Sequence, residues 1–428
     1  MGPIRNIQDV AEKHLCTGCG VCAFLEPKGI RMVDDLDQGR RPVVQPGAGV
    51  GASFEACPGK GLELPPFDPA SGHLRELWEG WGGVLELWEG YASDDAIRFA
   101  GSSGGAATAL SLFALEARGS SGVLHAGARK DVPYLNETQF SQSRSDLMRN
   151  TGSRYAPASP CDGLAQLEAA PKPSVFVGKP CDVAGLKRAQ AVRPGLESKV
   201  EVSIAIFCAG APSTRGTLEM ARQMGVEDPA RIESVRYRGQ GWPGHAEVHG
   251  TDSHDQPVGG KLSYAASWGD ILQKFRPWRC YVCADHTGEF ADLSVGDPWY
   301  REIPADEPGR SLILVRTEKG RAFLQAAREA GVLTLEPVPA HILPDSQRNL
   351  LHTRGAVFGR VWACRMLGVA APSFRRMGVG KTWLTQLSLK QRAQAFYGTF
   401  KRVFTKKLYA RRPVVPMPEA RTQKELGE

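Results

Sequence analysis

Cys16, Cys19 and Cys22 fall in the segment Cys-Thr-Gly-Cys-Gly-Val-Cys, and Cys57-Pro58 follows after 34 intervening residues. A chain that unites these four thiols must curl its first loop tightly and bring a remote segment back to it. Small residues between the thiols let backbone amides approach a bound group, and thiolates at this spacing can hold separate irons of one cubane. The spacing therefore predicts a [4Fe–4S] cluster on Cys16, Cys19, Cys22 and Cys57. Four thiolates would also satisfy tetrahedral zinc, although zinc sites usually use two separated C-x-x-C pairs.

Cys280-Tyr281-Val282-Cys283 is a second C-x-x-C. Alone it fits zinc, a redox pair or no function, and a metal would need two more thiols. Cys181, in Gly178-Lys179-Pro180-Cys181, and Cys208, in Phe207-Cys208-Ala209-Gly210, follow predicted strands, where ligands gather in α/β folds. Cys161 and Cys364 have less distinctive surroundings and read as spare thiols.

At 428 residues and 42% hydrophobic content the chain can form two or three domains with cores of ordinary size. Its first residues lack the apolar core of a secretory signal. The longest apolar stretches, such as 202–212, reach about half of the ~20 residues that a membrane-spanning helix needs. The expectation is a soluble, cytoplasmic protein, in which ten cysteines serve as metal ligands or buried thiols and not as disulfides. The net charge of +7 is unevenly spread: residues 346–418 hold 15 of the 53 Lys and Arg and no Asp or Glu. The remaining 38 face all 46 acidic residues, so the body is acidic and its tail basic.

Apolar runs predict strands over 84–88, 174–177, 200–207, 293–295 and 312–315, with helices over 106–118 and 319–330. Their alternation indicates a mixed α/β fold with a central α/β region. Glu-Leu-Trp-Glu-Gly occurs twice, at 76–80 and 86–90, and two copies do not make a repeat protein. Gly101-Ser102-Ser103-Gly104-Gly105 feeds a helix N-terminus. Its unhindered N–H groups and two hydroxyls, with the helix dipole, suit a phosphate or pyrophosphate. The tail reads as basic helices interrupted at Pro372, Gly378 and Gly380. The expected division is a ferredoxin-like iron–sulfur segment (1–75), a segment with the glycine-rich loop (76–170), a segment with the second cysteine set (171–340) and a basic helical tail (341–428).

Taken in order, these segments resemble the beta-subunit family of coenzyme F420 hydrogenase and dehydrogenase, which includes 7-hydroxymethyl chlorophyll a reductase-like iron–sulfur flavoproteins. The resemblance covers about residues 10 to 335. It rests on the Cys16–Cys22 segment, Trp88-Glu89-Gly90-Tyr91, Ser103-Gly104-Gly105, Gly152-Ser153-Arg154-Tyr155, the run from Gly178 to Leu186, Phe207-Cys208 and Arg236-Tyr237-Arg238. It ends with Cys280 to Cys283 before Ala291-Asp292-Leu293-Ser294-Val295-Gly296-Asp297.

The resemblance implies an oxidoreductase with FAD in the middle of the chain, lined by Ser102, Ser103, Gly104, Gly105, Ser153, Arg154 and Tyr155. It also implies a second [4Fe–4S] cluster on Cys181, Cys208, Cys280 and Cys283. Lys179 departs from the family, which often has a small or polar residue there. The implied partners are a ferredoxin-like electron carrier or partner subunit and a small organic substrate, with coenzyme F420 as the alternative. A reading of another class is a zinc-bearing, non-catalytic binding protein. Arg154 is expected to meet a pyrophosphate or a reduced flavin, or else to form a surface salt bridge. His245 and Asp297 are weaker candidates for proton donors. The basic tail is expected to pack on the acidic body, with peripheral membrane contact or an acidic carrier protein as other occupants. No nucleic-acid motif accompanies its charge.

Overall fold

The computed structural model describes residues 3–418 apart from 303, 305 and 306; the end of the basic tail, 419–428, lies outside the described residues. The chain adopts the expected mixed α/β class. Its centre is an eight-stranded sheet in the order Leu333–Pro337, Glu86–Ala92, Ser311–Val315, Leu293–Gly296, Val200–Ile206, Ser174–Gly178, Val123–Ala128 and Asn136–Ser141. The four strands from Leu293–Gly296 to Val123–Ala128 run parallel, and antiparallel strands close both edges. Every residue of Ser311–Val315 and Leu293–Gly296 is buried, so these strands read as short apolar runs without alternation.

Helices cover both faces. Leu110 and Phe113 of Ala106–Glu116, with Phe323 and Leu324 of Glu318–Glu329, pack on Val175, Val202, Ile204 and Val295. On the other face Val183, Leu186 and Ala189 of Pro180–Val192 meet Leu124, Phe176 and Ala205. Each such Leu or Phe contributes roughly 1.5–3 kcal/mol on burial, and this layering fixes where the parallel strands end. The expected division at residue 170 does not separate two sheets. Glu86–Ala92 inserts between Leu333–Pro337 and Ser311–Val315, so strands from both segments share one sheet.

The repeated pentapeptide has two structures. Its first copy lies in the helix Arg75–Trp81 and its second in the strand Glu86–Ala92. A three-stranded antiparallel sheet, Ile232–Arg236, His245–Thr251 and Pro257–Ser263, stands apart from the main one.

The N-terminal unit consists of short helices and the hairpin Ile30–Asp35 with Gly39–Val44. It is tied to the tail by the parallel pair Gly61–Glu63 and Ser373–Arg375, a strand not foreseen among the tail helices. Those helices are Arg348–Met366, Val379–Gln386 and Leu389–Thr405. Pro372 and Gly378 fall between helices as expected, whereas Gly380 lies inside one. Past the last helix the chain returns to the N-terminal unit. Arg411 pairs with Asp9 and Glu12, and Arg412 with Asp37. Backbone N–H groups of Arg412, Val415 and Met417 donate to Glu12 O, Asp35 Oδ2 and Asp34 O. The basic tail thus packs on acidic residues of the body. Among the described residues no helix is long and apolar enough to cross a membrane.

Candidate functional site

The first cysteine loop is shaped by glycine. Gly20 has φ +90°, and a Cβ there would lie 2.7 Å from Asp162 N and 2.8 Å from Ser159 O. Only glycine both turns the chain at this point and lets it press on the segment around residue 160. Cys16, Cys19, Cys22 and Cys57 are all buried, and the Gly18 N–H donates to Cys16 Sγ at 3.3 Å. Burial pushes the Cys57 thiol up to about 12, with Cys19 and Cys16 adding to it. Burial and the neighbouring Cys16, Cys57 and Cys19 push Cys22 well above its ordinary value. Sulfurs so placed stay protonated unless a cation holds them as thiolates.

Cys161, read as spare, sits beside this set. Its thiol donates to Asp182 O at 3.1 Å, and its N–H donates to Cys19 O at 3.0 Å. Cys364 lies instead in an apolar cluster with Trp278, Val369 and Val403.

Cys181 opens the helix Pro180–Val192, Cys208 follows the strand Val200–Ile206, and Cys280 and Cys283 flank the end of Trp278–Tyr281. The structure brings these four onto one hollow of about 50 Å³, whose lining also includes Cys16, Lys179, Arg279 and His286. Burial pushes Cys208 up to about 12 and Cys283 up to about 11. Gly210 N–H donates to Cys208 Sγ at 3.3 Å. Asp285 holds the turn after Cys283 by accepting from the N–H groups of Thr287, Gly288 and Glu289. Among the described residues no three His, Cys, Asp or Glu side chains converge closely enough for a single metal ion. The sulfurs surround a space instead of a point, an arrangement suited to a body with several irons.

His286 was not singled out in the sequence, because nothing local distinguishes it. Its Nδ1 lies 2.9 Å from Cys208 O, so that nitrogen carries the proton, and burial lowers the ring pKa to about 4. Nε2 is buried without a hydrogen-bond partner among the described residues. This bare imidazole lone pair is a buried polar group left unsatisfied within the lining of the hollow.

A larger cleft, about 300 Å³, opens beyond this hollow at the carboxyl ends of the parallel strands, where Gly178, Ile206 and Gly296 line it. Lys179, Cys208, Gly210, Ala211 and Ala158 line both spaces and form the wall between them. The Lys179 Nζ donates to Asp182 Oδ2 at 2.6 Å and Ala158 O at 3.3 Å. Ser102, Ser103, Gly105, Ser153, Arg154 and Tyr155 all line the cleft. Ser102 Oγ accepts from Ser153 N–H at 2.5 Å, joining the two expected segments. Gly104 differs: its N–H donates to Ser311 Oγ, and a Cβ there would lie 2.7 Å from Gly90 O, so it anchors the loop to the sheet.

Arg154 forms no surface salt bridge. Its guanidinium donates to Asn136 Oδ1, Val235 O and Pro133 O, all neutral acceptors, and burial lowers its pKa. Among the described residues no carboxylate pairs with it, which leaves a positive charge facing the cleft. Asp297 lines the cleft but is held by Arg238 at 2.9 and 3.0 Å and by Trp242 Nε1 at 2.7 Å. His245 is exposed at the start of its strand and does not line the cleft. Trp299 and Tyr264, stacked at 5.4 Å, form an aromatic wall that the sequence reading missed.

Two family descriptions match the chain, the N-terminal and the C-terminal parts of the coenzyme F420 hydrogenase/dehydrogenase beta subunit, over residues 87–165 and 172–341 respectively. The chain belongs to this beta-subunit family. Among its relatives, the coenzyme F420-dependent sulfite reductase of Methanocaldococcus jannaschii is 23% identical over 351 residues, 78% of this chain and 49% of that protein. The chain therefore spans about half the length of that relative. The F subunit of the F(420)H(2) dehydrogenase of Methanosarcina mazei is 23% identical over 78% of this chain and 88% of its own length. A chain of the F420-reducing [NiFe] hydrogenase complex from Methanosarcina barkeri shares the fold, with a TM-score of 0.53, 18% identity and 72% of this chain and 98% of that one covered.

Proposed function

We propose that the chain is the electron-relaying component of a coenzyme F420-linked oxidoreductase, with [4Fe–4S] clusters on both cysteine sets and FAD in the cleft. The observation that carries this reading is spatial order: Cys16 lines the hollow of the second set, and Cys208 lines both that hollow and the cleft. Bound there, a flavin would exchange an electron pair with an organic partner and single electrons with the clusters. The chain's own residues bind and orient. Arg154 offers a fixed positive charge to an anionic part of the cofactor, Ser102 and Ser103 offer hydroxyls, and Trp299 with Tyr264 offers a flat face to a ring. The Arg238–Asp297 pair holds the far wall in place.

Coenzyme F420 is preferred as the organic partner because the relatives carry it in their names. A small organic substrate served by a ferredoxin-like carrier is the second reading, and the multi-subunit relatives favour a partner chain in either case. Anaerobic purification with iron, sulfide, zinc and flavin quantified per chain tests the proposal, and about eight irons with one flavin are expected. Zinc without flavin would return the chain to the class of non-catalytic binding proteins. Reduced coenzyme F420 should then bleach the oxidised protein, or the oxidised coenzyme be bleached by the reduced protein; no exchange in either direction removes it as the partner.

Arg154→Met is expected to weaken cofactor retention about ten- to a hundredfold, since a hydrogen bond to a charged group contributes roughly 1.5–3 kcal/mol. Flavin content after gel filtration, with iron unchanged, is the measurement. Undiminished flavin would place the anionic group elsewhere.

A further inference from the structure

Tyr281 lies between Cys280 and Cys283 and is ringed by positive charge. Arg276, Arg360 and Arg402 place their guanidinium carbons 4.8, 6.0 and 5.9 Å from its ring centroid, and Lys406 its ammonium at 5.6 Å. Among the described residues none of the four pairs with a carboxylate. Burial, with the like charges of Arg402 and Arg276, lowers the pKa of Arg360 to about 10, as expected where positive charge is not neutralised. Arg402 belongs to the helix Leu389–Thr405 and Lys406 caps it; Val403 and Leu408 pack on Trp278 and Val282. That end of the tail is thus seated against the second cysteine pair.

Elsewhere the tail leaves large apolar groups in water. Of the eleven such side chains exposed among the described residues, seven lie between 362 and 409, including Phe404 at 61% and Tyr409 at 49%. Phe404 and Tyr409 touch each other at 6.2 Å between ring centroids. A cluster of one charge sign attracts a protein partner of the opposite sign and speeds its encounter.

We propose that this surface, formed by Arg276, Arg360, Arg402 and Lys406 around Tyr281, docks an acidic one-electron carrier protein at the second cysteine set. It rests on the reading that this set holds a cluster. One electron passes from the reduced carrier to the oxidised cluster, leaving the carrier oxidised and the cluster reduced, with no bond made or broken. The uniform sign selects an acidic partner, and the position of Tyr281 between two ligands brings that partner to the cluster. An anionic lipid surface would be attracted by the same charge but would gain nothing from the proximity to the cysteines.

The test mixes a reduced acidic bacterial ferredoxin anaerobically with the oxidised, iron-loaded full-length protein and follows cluster bleaching. At low ionic strength Arg402→Glu with Lys406→Glu is expected to slow the second-order rate about tenfold or more, and added salt should slow the unaltered protein likewise. Reduction by dithionite and iron content should be unchanged. The single variant Lys406→Glu, at an exposed position, guards against a folding defect and should show part of the loss. Equal slowing with dithionite would mean that the cations tune the cluster, and an unchanged ferredoxin rate would mean that the carrier docks elsewhere; either overturns the proposal. So would binding to equimolar phosphatidylcholine–phosphatidylglycerol vesicles that the variant abolishes while the ferredoxin rate stays intact. An iron count showing no second cluster would fail the underlying reading itself, a result distinct from these.

Discussion

Serine in place of Cys280 or Cys283 is expected to halve the iron bound per chain, from about eight to about four, and to leave the flavin in place. Both thiols line the hollow, and the turn after Cys283 is held by Asp285, so losing one sulfur removes a ligand without dissolving that turn. The first set is carried by other segments and should keep its iron. Iron and acid-labile sulfide measured on anaerobically purified protein decide the matter, with Cys364→Ser as the control that should change neither. Unchanged iron in the Cys283→Ser protein would mean that the second set holds no cluster.

Arg354→Met is expected to cost about 3–5 kcal/mol of stability, the usual effect of removing one partner from a buried ion pair. Arg354 and Glu289 have 3% and 0% of their side-chain surface exposed, and the guanidinium also donates to Ala284 O and Met377 O. Burial already pushes Glu289 up to about 7. A carboxyl whose folded pKa lies above its unfolded value of 4.5 binds its proton more tightly when folded, so the folded state loses stability as pH rises between those values. Without Arg354 the folded pKa rises further, and the deficit should widen from pH 5 to pH 8. Urea unfolding at the two pH values measures it; a deficit that shrinks with rising pH would contradict this account.

The Cys16–Cys22 loop and the Gly101–Gly105 loop that lines the cleft were legible in the sequence because residue type at short spacing marks them. The central strands were legible too: 174–177, 200–207 and 312–315 are apolar enough to be buried on both faces. The pentapeptide Glu-Leu-Trp-Glu-Gly marks the limit. The same five residues form a helix where Leu77 packs under Leu350 and Leu351 of the tail, and a strand where Leu87 and Glu89 join the central sheet. No local propensity distinguishes the copies, so tertiary contacts decide. His286 was illegible for a related reason. Its role depends on the carbonyl of Cys208, 78 residues away, which no spacing rule connects to it. Arg154 was placed correctly at the cleft, but its lack of an acidic partner is a property of the folded neighbourhood.

The strap that carries Arg411, Arg412 and Met417 across the N-terminal unit bears on timing during synthesis. Residues of the first cysteine loop leave the ribosome first, whereas the strand Ser373–Arg375 and the strap that pack on their unit are made near the end. For most of translation this unit lacks its final covering. Under the proposed function, iron delivery to Cys16, Cys19, Cys22 and Cys57 has its widest opening in that interval, before the strap closes over their unit.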